Sequence, residues 1–175
     1  MLTTHIQTPV GNMIVAASDD GICLFDFEFR KSIDSIKHRI SSTLNTDFQE
    51  GYHPYFDLLK TQIKEYFDGT RKNFDLPLHL VGTDFQKKVW KQLIEIPYGS
   101  LSTYKKQAIA LGNEKAIRAM AKANAENGLA IIVPCHRVIS EAGHLTGYGG
   151  GLPKKKWLIE HERKHVAAEK QFQLF

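Results

Sequence analysis

The stretch from Thr103 to Ala125, TYKKQAIALGNEKAIRAMAKANA, decides the fold. Thr103 caps a helix from Tyr104 to Leu111, Gly112 closes it, and Asn113 caps a second helix that runs through Ala125. A helix of about two turns, a glycine turn and a second helix is the helix-turn-helix arrangement. On the second helix Ala116, Ile117, Met120 and Ala123 are expected to face the core. Lys115, Arg118 and Lys122 fall at i, i+3 and i+7 on an outward stripe flanked by Ala119, Ala121 and Ala125. Such a stripe on an arbitrary helix is a solvated face. On the second helix of this pair it fits a phosphate backbone, and the alanines let that backbone come close.

Upstream, Thr83 caps a helix from Asp84 to about Ile96, with Phe85, Val89 and Leu93 on one stripe, Trp90 and Ile94 beside it, and Pro97 and Gly99 beyond its end. Downstream, the apolar run Leu129 to Val133 reads as a strand-like segment leading into Pro134-Cys135-His136-Arg137-Val138. A thiol attacks as thiolate, which a cation, a histidine or a helix dipole favours, and Pro134 holds Cys135 at a defined place. On an extended segment Cys135 and His136 point to opposite sides, so a direct bond needs a sharp turn, or else a bridging water. The bland alternative for Cys135 is a small buried apolar residue. Glycines 143, 147, 149, 150 and 151 form a permissive loop around Tyr148, which is placed to wall a small pocket. Pro153 starts a final helix carrying Trp157, Leu158, His161 and Glu162. Glu162 is a surface carboxylate unless the chain folds it toward His136.

The first half follows a different period. Leu2–Gln7, Met13–Ala17 and Ile22–Phe29 alternate as strands joined by turn residues, an antiparallel meander. Apolar stripes beginning at Ile33 and at Tyr55, the second ending at Asp68-Gly69, predict two covering helices. Cys23 lies inside the third strand and reads as core, so this half shows packing and no chemistry. The polar stretch from Arg71 to Gly82 marks a boundary, with residues 1–80 as an N-terminal scaffold domain and 81–175 as a second, mostly helical one. The fold class is α+β: an antiparallel β-meander with helices, followed by a helical domain with a helix-turn-helix.

Of the 175 residues 42% are hydrophobic and 24% charged, which excludes a disordered or collagen-like chain. Charge divides along the same boundary. Residues 1–80 hold 8 Lys and Arg against 11 Asp and Glu, a net −3, and residues 81–175 hold 15 against 8, a net +7. The second half is thus suited to a polyanion. Two distant cysteines point to reduced thiols, and neither they nor the eight histidines have the spacing of a metal site. Pro9 interrupts what a signal peptide would need, and no apolar run is long enough to span a bilayer. A cytoplasmic protein without membrane association is expected, and residues 164–175 read as a frayed helical end.

Taken together, TDFQKKVW (83–90), IVPCHRVI (132–139), GYGGG (147–151) and KKKWLIEHE (154–162) resemble the O6-alkylguanine-DNA alkyltransferases. The likeness runs from about Thr83 to Glu162, and TPVGN (8–12) in the first turn is similar in pattern. The resemblance implies a repair protein that binds double-stranded DNA through the minor groove, flips the alkylated guanine out of the stack and takes the alkyl group irreversibly onto Cys135, one turnover per molecule. It implies His136 as the base acting through water, Glu162 as the carboxylate orienting it, and Asn127 as the brace between recognition helix and active-site segment. Tyr104 meets the flipped base and supplies a proton, and Arg118 fills the vacated stack. The carbonyls of Cys135 and Val138 read the base's amine, and Tyr148 walls the pocket. No cofactor and no metal are implied, since the zinc ligands of some animal members are not found here, and the protein is expected to act as a monomer. Three positions depart from the pattern. Gly149 stands where many relatives carry serine or alanine, and Ala121 and Lys122 replace a glycine or alanine pair on the recognition helix. Two other classes remain open: a non-catalytic sensor of alkylated DNA, which Cys135 disfavours, and a Cys-His hydrolase, which the adjacency of Cys135 and His136 disfavours.

Overall fold

A computed structural model of the chain describes residues 1–172, with side chains through Glu169. Strands β1 (Leu2–Thr8), β2 (Gly11–Ser18) and β3 (Gly21–Phe27) form the expected antiparallel meander, with Ile6 opposite Met13 and Met13 opposite Phe27. Helices α1 (Ile33–Leu44) and α2 (Pro54–Phe67) follow the two predicted stripes. Between them a strand that the alternation did not reveal, β4 (Gln49–Glu50), pairs in parallel with Leu2 and Thr3 and completes the order β3-β2-β1-β4. Two residues are too short to carry a period.

Helix α3 (Asp84–Ile94) begins with a reciprocal cap: Thr83 Oγ1 accepts from Gln86 N at 3.2 Å and Gln86 Oε1 accepts from Thr83 N at 2.8 Å. Strand β5 (Ser102–Thr103) leads into α4 (Tyr104–Ala110), where Thr103 Oγ1 accepts from Lys106 N as expected of a cap. Gly112, at φ +77°, ends α4 in a left-handed conformation with open space around it, so backbone geometry alone calls for glycine there. After Asn113 the chain makes one 3-10 turn, Glu114–Ala116, before α5 (Ile117–Ala125). Strand β6 (Val138–Ile139) pairs with β5, and α6 runs from Leu152 to Phe172. Within the described part of the expected frayed end, α6 is regular, and Glu169 pairs with Lys72; the side chains beyond Glu169 lie outside the described residues. No described helix is long and apolar enough to cross a membrane.

The outer edge of β3 is closed by the second half of the chain. Phe25 N donates to Gly128 O at 2.8 Å and Ala130 N to Phe25 O at 2.7 Å. One apolar core therefore joins Val15, Phe25 and Phe27 of the sheet, Leu59 and Tyr66 of α2, Trp90 and Leu93 of α3, Met120 of α5 and Leu158 of α6. Trp90 Nε1 donates to Ala123 O at 2.9 Å and fastens α3 to α5.

Several sequence expectations need correction. Leu129 to Val133 is not a strand: its one sheet contact is the bridge from Leu129 to Phe25, and the chain turns sharply through Ile131 at φ +71°. The five apolar residues are buried because they wrap the end of β3, and burial on all sides produces the same apolar run that a central strand would. Phe85 and Ile94 are 38% and 41% exposed, because α3 turns Gln86, Val89, Trp90 and Leu93 inward instead. Ile117 is 38% exposed rather than core-facing, since the 3-10 turn resets the phase of α5. The helices beginning at Asp84 and Tyr104 also end one or two residues earlier than expected.

Candidate active site

Asn127 organises the turn that carries the thiol. Its Oδ1 accepts from Leu129 N at 2.9 Å, and its Nδ2 donates to Val133 O at 2.9 Å and to Cys135 Sγ at 3.3 Å. One fully buried amide thus closes the loop at both ends and touches the sulfur. Pro134 leads into a 3-10 turn, Cys135–Arg137, which is the sharp turn that adjacent Cys and His require. Cys135 is 8% exposed. Burial pushes its thiol above the ordinary value, while the Asn127 hydrogen bond and the charge of Arg30 act to lower it. Cys23 is the contrast: burial in the core raises its thiol to about 11, as expected of an inert packing residue.

His136 is held from helix α6. Its Nε2 is 2.7 Å from Glu162 Oε1, and its Nδ1 has no protein partner among the described residues. No hydrogen bond joins Cys135 to His136 directly. Burial lowers the imidazole's pKa against the pull of Glu162. Burial acts to raise the Glu162 carboxyl, but His136 and Arg137 outweigh it and hold the group well below the usual carboxylate range. An ionised carboxylate only accepts, so Nε2 carries the hydrogen and Nδ1 presents its lone pair.

Glu162 is therefore no surface carboxylate. Besides His136, its Oε1 accepts from Tyr66 Oη at 2.8 Å and from Arg137 Nη2 at 3.0 Å, while Oε2 accepts from Arg137 Nε and Gly99 N, both at 2.9 Å. Arg137 spends its remaining nitrogen on Ile96 O at 2.6 Å and packs over Tyr98. Sequence reasoning missed Arg137, Tyr66 and Gly99. Arg137 was adjacent to the Cys-His pair, and Tyr66 continued the Leu59, Ile63 stripe of α2, but nothing in the sequence linked them to Glu162.

The first half, read as scaffold only, also reaches the site. The Arg30 guanidinium pairs with buried Asp26, donates to Asn127 O at 2.7 Å and to Ala125 O at the end of α5, and reaches Ser32 Oγ at 2.9 Å. Burial raises the Asp26 carboxyl to about 6, opposed by Arg30. Gly149 lies against this guanidinium, and a Cβ there would overlap it. Arg30 thus leaves no room for a side chain at position 149.

Tyr148 is half-buried, with its ring edge-on to Phe27 at 5.9 Å and to His136 at 6.4 Å and its hydroxyl unpartnered. The Tyr104 hydroxyl points to Thr146 O at 3.5 Å. The Val138 carbonyl, expected to read a base, accepts from Lys155 Nζ at 2.6 Å and retains one lone pair. Cys135 with Asn127 and His136 with Glu162 form two hydrogen-bonded pairs that meet at the 135–136 peptide bond, with Tyr148, Tyr104, Val138 and Gly149 nearby. Arg118, Ala121 and Lys122 lie apart on α5: Arg118 is exposed, Ala121 half-buried, and Lys122 exposed and 3.9 Å from Glu126. Among the described residues no group of three or more His, Cys, Asp or Glu side chains could hold a metal.

Two family models cover the chain: the 6-O-methylguanine DNA methyltransferase ribonuclease-like domain matches residues 1–80 and the DNA binding domain of the same family residues 84–164. The methylated-DNA–protein-cysteine methyltransferase of Methanosarcina barkeri is 40% identical over 161 residues, 92% of this chain and 96% of that one. The constitutive enzyme of Bacillus subtilis is 42% identical over 161 residues, 91% and 94% of the two chains. Among solved structures, Mycobacterium tuberculosis OGT in complex with DNA superposes with a TM-score of 0.80 at 36% identity, covering 94% of each chain.

Proposed function

The chain belongs to the 6-O-methylguanine DNA methyltransferase family, and from its role as an alkyl-transfer DNA repair protein we propose how its own atoms carry out the transfer. Cys135 is the acceptor. Its sulfur attacks the carbon bonded to O6 of an alkylated guanine, a C–S bond forms as the C–O bond breaks, and the base departs as guanine. The thiol proton passes through a water to Nδ1 of His136, while Glu162 holds the Nε2 hydrogen and stabilises the charge that the ring acquires. The departing base takes up one proton from the Tyr104 hydroxyl, and the tyrosinate left behind regains one through solvent as the His136 imidazolium gives up the thiol proton, so the proton count closes. A thioether offers no leaving group to a second nucleophile here, and each molecule reacts once.

The observation that carries this reading is the unpartnered Nδ1 of a fully buried histidine whose other nitrogen is committed to Glu162. A buried lone pair without a partner is costly unless water or a substrate proton meets it. The Asn127 amide at the sulfur supports the thiolate in the same step.

The flipped guanine enters between Tyr148 and the Val138 carbonyl. Helices α4 and α5 act as a helix-turn-helix, with α5 in the minor groove, Arg118 in the vacated stack, and the small side chain of Ala121 beside Lys122 at the backbone. The protein works as a monomer in the cytoplasm, with residues 81–175 holding the DNA and the reacting groups and residues 1–80 bracing them. Incubation with duplex DNA bearing one O6-methylguanine, followed by intact mass measurement, tests the reading. A gain of one methyl group in the wild type and none in Cys135→Ser is expected. Tight binding without a mass gain would indicate a sensor and overturn it.

A further inference from the structure

Asn127 is followed by Gly128, the one Asn-Gly pair in the chain, and both residues are buried. The amide carbon of an asparagine lies within reach of the next residue's backbone nitrogen, and a glycine there, without a Cβ, leaves the approach open. Each group needed for that ring closure is activated by a neighbour. Gly128 N donates to no acceptor among the described residues, although Gly128 O accepts from Phe25 N at 2.8 Å. A buried backbone N–H without a partner is rare, and it leaves this nitrogen free to react. The carbonyl of the same peptide unit, Asn127 O, accepts from the Arg30 guanidinium at 2.7 Å, and a cation at that oxygen acidifies the Gly128 N–H.

The electrophile is polarised as well. Asn127 Oδ1 accepts from Leu129 N at 2.9 Å, which draws electrons from the amide carbon and curls the side chain over the Gly128 nitrogen between them. We propose that Asn127–Gly128 is a self-modification site, at which the Gly128 nitrogen displaces the Asn127 amide nitrogen and inactivates molecules that have met no lesion. The bond from Gly128 N to Asn127 Cγ forms, the Cγ–Nδ2 bond breaks, and Nδ2 leaves as ammonia once the Gly128 proton has reached it through solvent. Water then opens the cyclic imide at either carbonyl and leaves aspartate or isoaspartate. One water is taken up and one ammonia released.

The product cannot do what the amide does. A carboxylate only accepts, so Cys135 Sγ loses a donor at 3.3 Å and gains a negative charge, while Val133 O meets an oxygen where it had an N–H at 2.9 Å. The Asn127 hydrogen bond acts to lower the thiol, and an anion in its place raises it. Isoaspartate also adds a methylene to the backbone, which shifts Gly128 and Leu129 out of their pairing with Phe25. Burial and the hydrogen bonds of Nδ2 hold the amide back, so conversion is slower than in an unfolded chain. It still leads that of every other asparagine, none of which precedes a glycine. The loss of alkyl transfer rests on Cys135 being the acceptor, whereas the modification itself does not.

The test keeps the unreacted full chain at 37 °C and pH 8 in water enriched in heavy oxygen, sampled over several days by peptide mapping and by intact mass after brief treatment with free O6-benzylguanine. Asn127 is expected to convert about tenfold or more faster than Asn12, Asn45, Asn73, Asn113 or Asn124, with heavy oxygen entering the converted residue. The fraction of chains that take a benzyl group should fall in step, and the chains left without one should be the converted ones. Gly128→Ala should convert roughly fivefold or more slower, since its methyl hinders ring closure. Conversion of Asn127 no faster than that of the other asparagines, converted chains that take the benzyl group as fast as fresh ones, or an undiminished conversion in Gly128→Ala overturns the proposal. The added methyl meets Ile36 Cγ2 at 3.0 Å, and should that variant fail to fold, the wild-type map still decides. Failure of the acceptor assignment would look different: no benzyl mass gain in the fresh protein, whatever happens at Asn127.

Discussion

Nε2 of His136 lies 2.7 Å from Oε1 of Glu162, with both side chains closed off from solvent. The carboxylate is held by five donors from four residues, so the imidazole it orients has one available orientation and one free nitrogen. A base fixed in this way loses little on reorganisation when it accepts a proton.

Glu162→Gln should therefore slow the transfer on the order of a hundredfold. It also leaves the buried Arg137 charge uncompensated, at about 3–5 kcal/mol of stability near pH 7. The sign with pH follows from a carboxyl whose pKa is lower in the folded state. Its contribution is complete above the ordinary value of 4.5 and is lost as pH falls below it, when the unfolded chain takes up a proton that the folded chain resists. Urea unfolding of both proteins at pH 7, 5 and 4 should show a gap that is constant at the first two and narrows at the last.

Asn127→Ala removes two donors and an acceptor from a buried loop. Leu129 N loses its partner and Val133 O keeps only Cys135 N, and a loss of about 1–3 kcal/mol follows. Since the amide acts to lower the Cys135 thiol, that thiol should rise further. Iodoacetamide labelling of Cys135 across pH 7 to 10 is expected to shift to higher pH. An unmoved labelling profile would show that the Asn127 contact has no influence on the sulfur.

Gly149→Ala and Arg30→Ala should be strongly coupled. In the wild type the added methyl meets a guanidinium tied to four partners, and overpacking of about 1–3 kcal/mol is expected. With Arg30 shortened the methyl has room, so the second substitution should cost close to nothing. Arg30→Ala alone abandons buried Asp26, and Asp26→Asn should recover part of that loss. A double-mutant cycle on thermal unfolding measures the coupling.

Arg118→Ala should separate two substrates. The residue is exposed on α5 and is none of the donors to Glu162, so reaction with free O6-benzylguanine is expected to stay near the wild-type rate while repair of duplex DNA falls about tenfold or more. Equal losses on the two would count against a role in holding the emptied stack.

The meander and the helices around Thr83 and Thr103 were legible in the sequence because their signals are local. Alternation in residues 2–27 and caps at Thr83 and Thr103 act within a few residues, and both caps form as read. Cys135, His136 and Tyr148 stood out for a similar reason, as reactive or aromatic groups set among glycines and a proline. Which residues pack inward was less legible. Phe85, Ile94 and Ile117 carry apolar side chains that the fold leaves half outside, since their direction depends on which neighbour a helix meets.

By itself the sequence determined the fold class, the basic second half and, through four short segments from Thr83 to Glu162, the resemblance to a repair family. Only the tertiary structure decided the surroundings of the thiol. Arg30 lies 97 residues from Asn127, and Tyr66 lies 96 residues from Glu162. No periodicity extends over such a span. Those partners are chosen by the closure of β3 against the second half and by the one face of α6 that turns inward. That packing converts Glu162 from a surface acid into the anchor of His136.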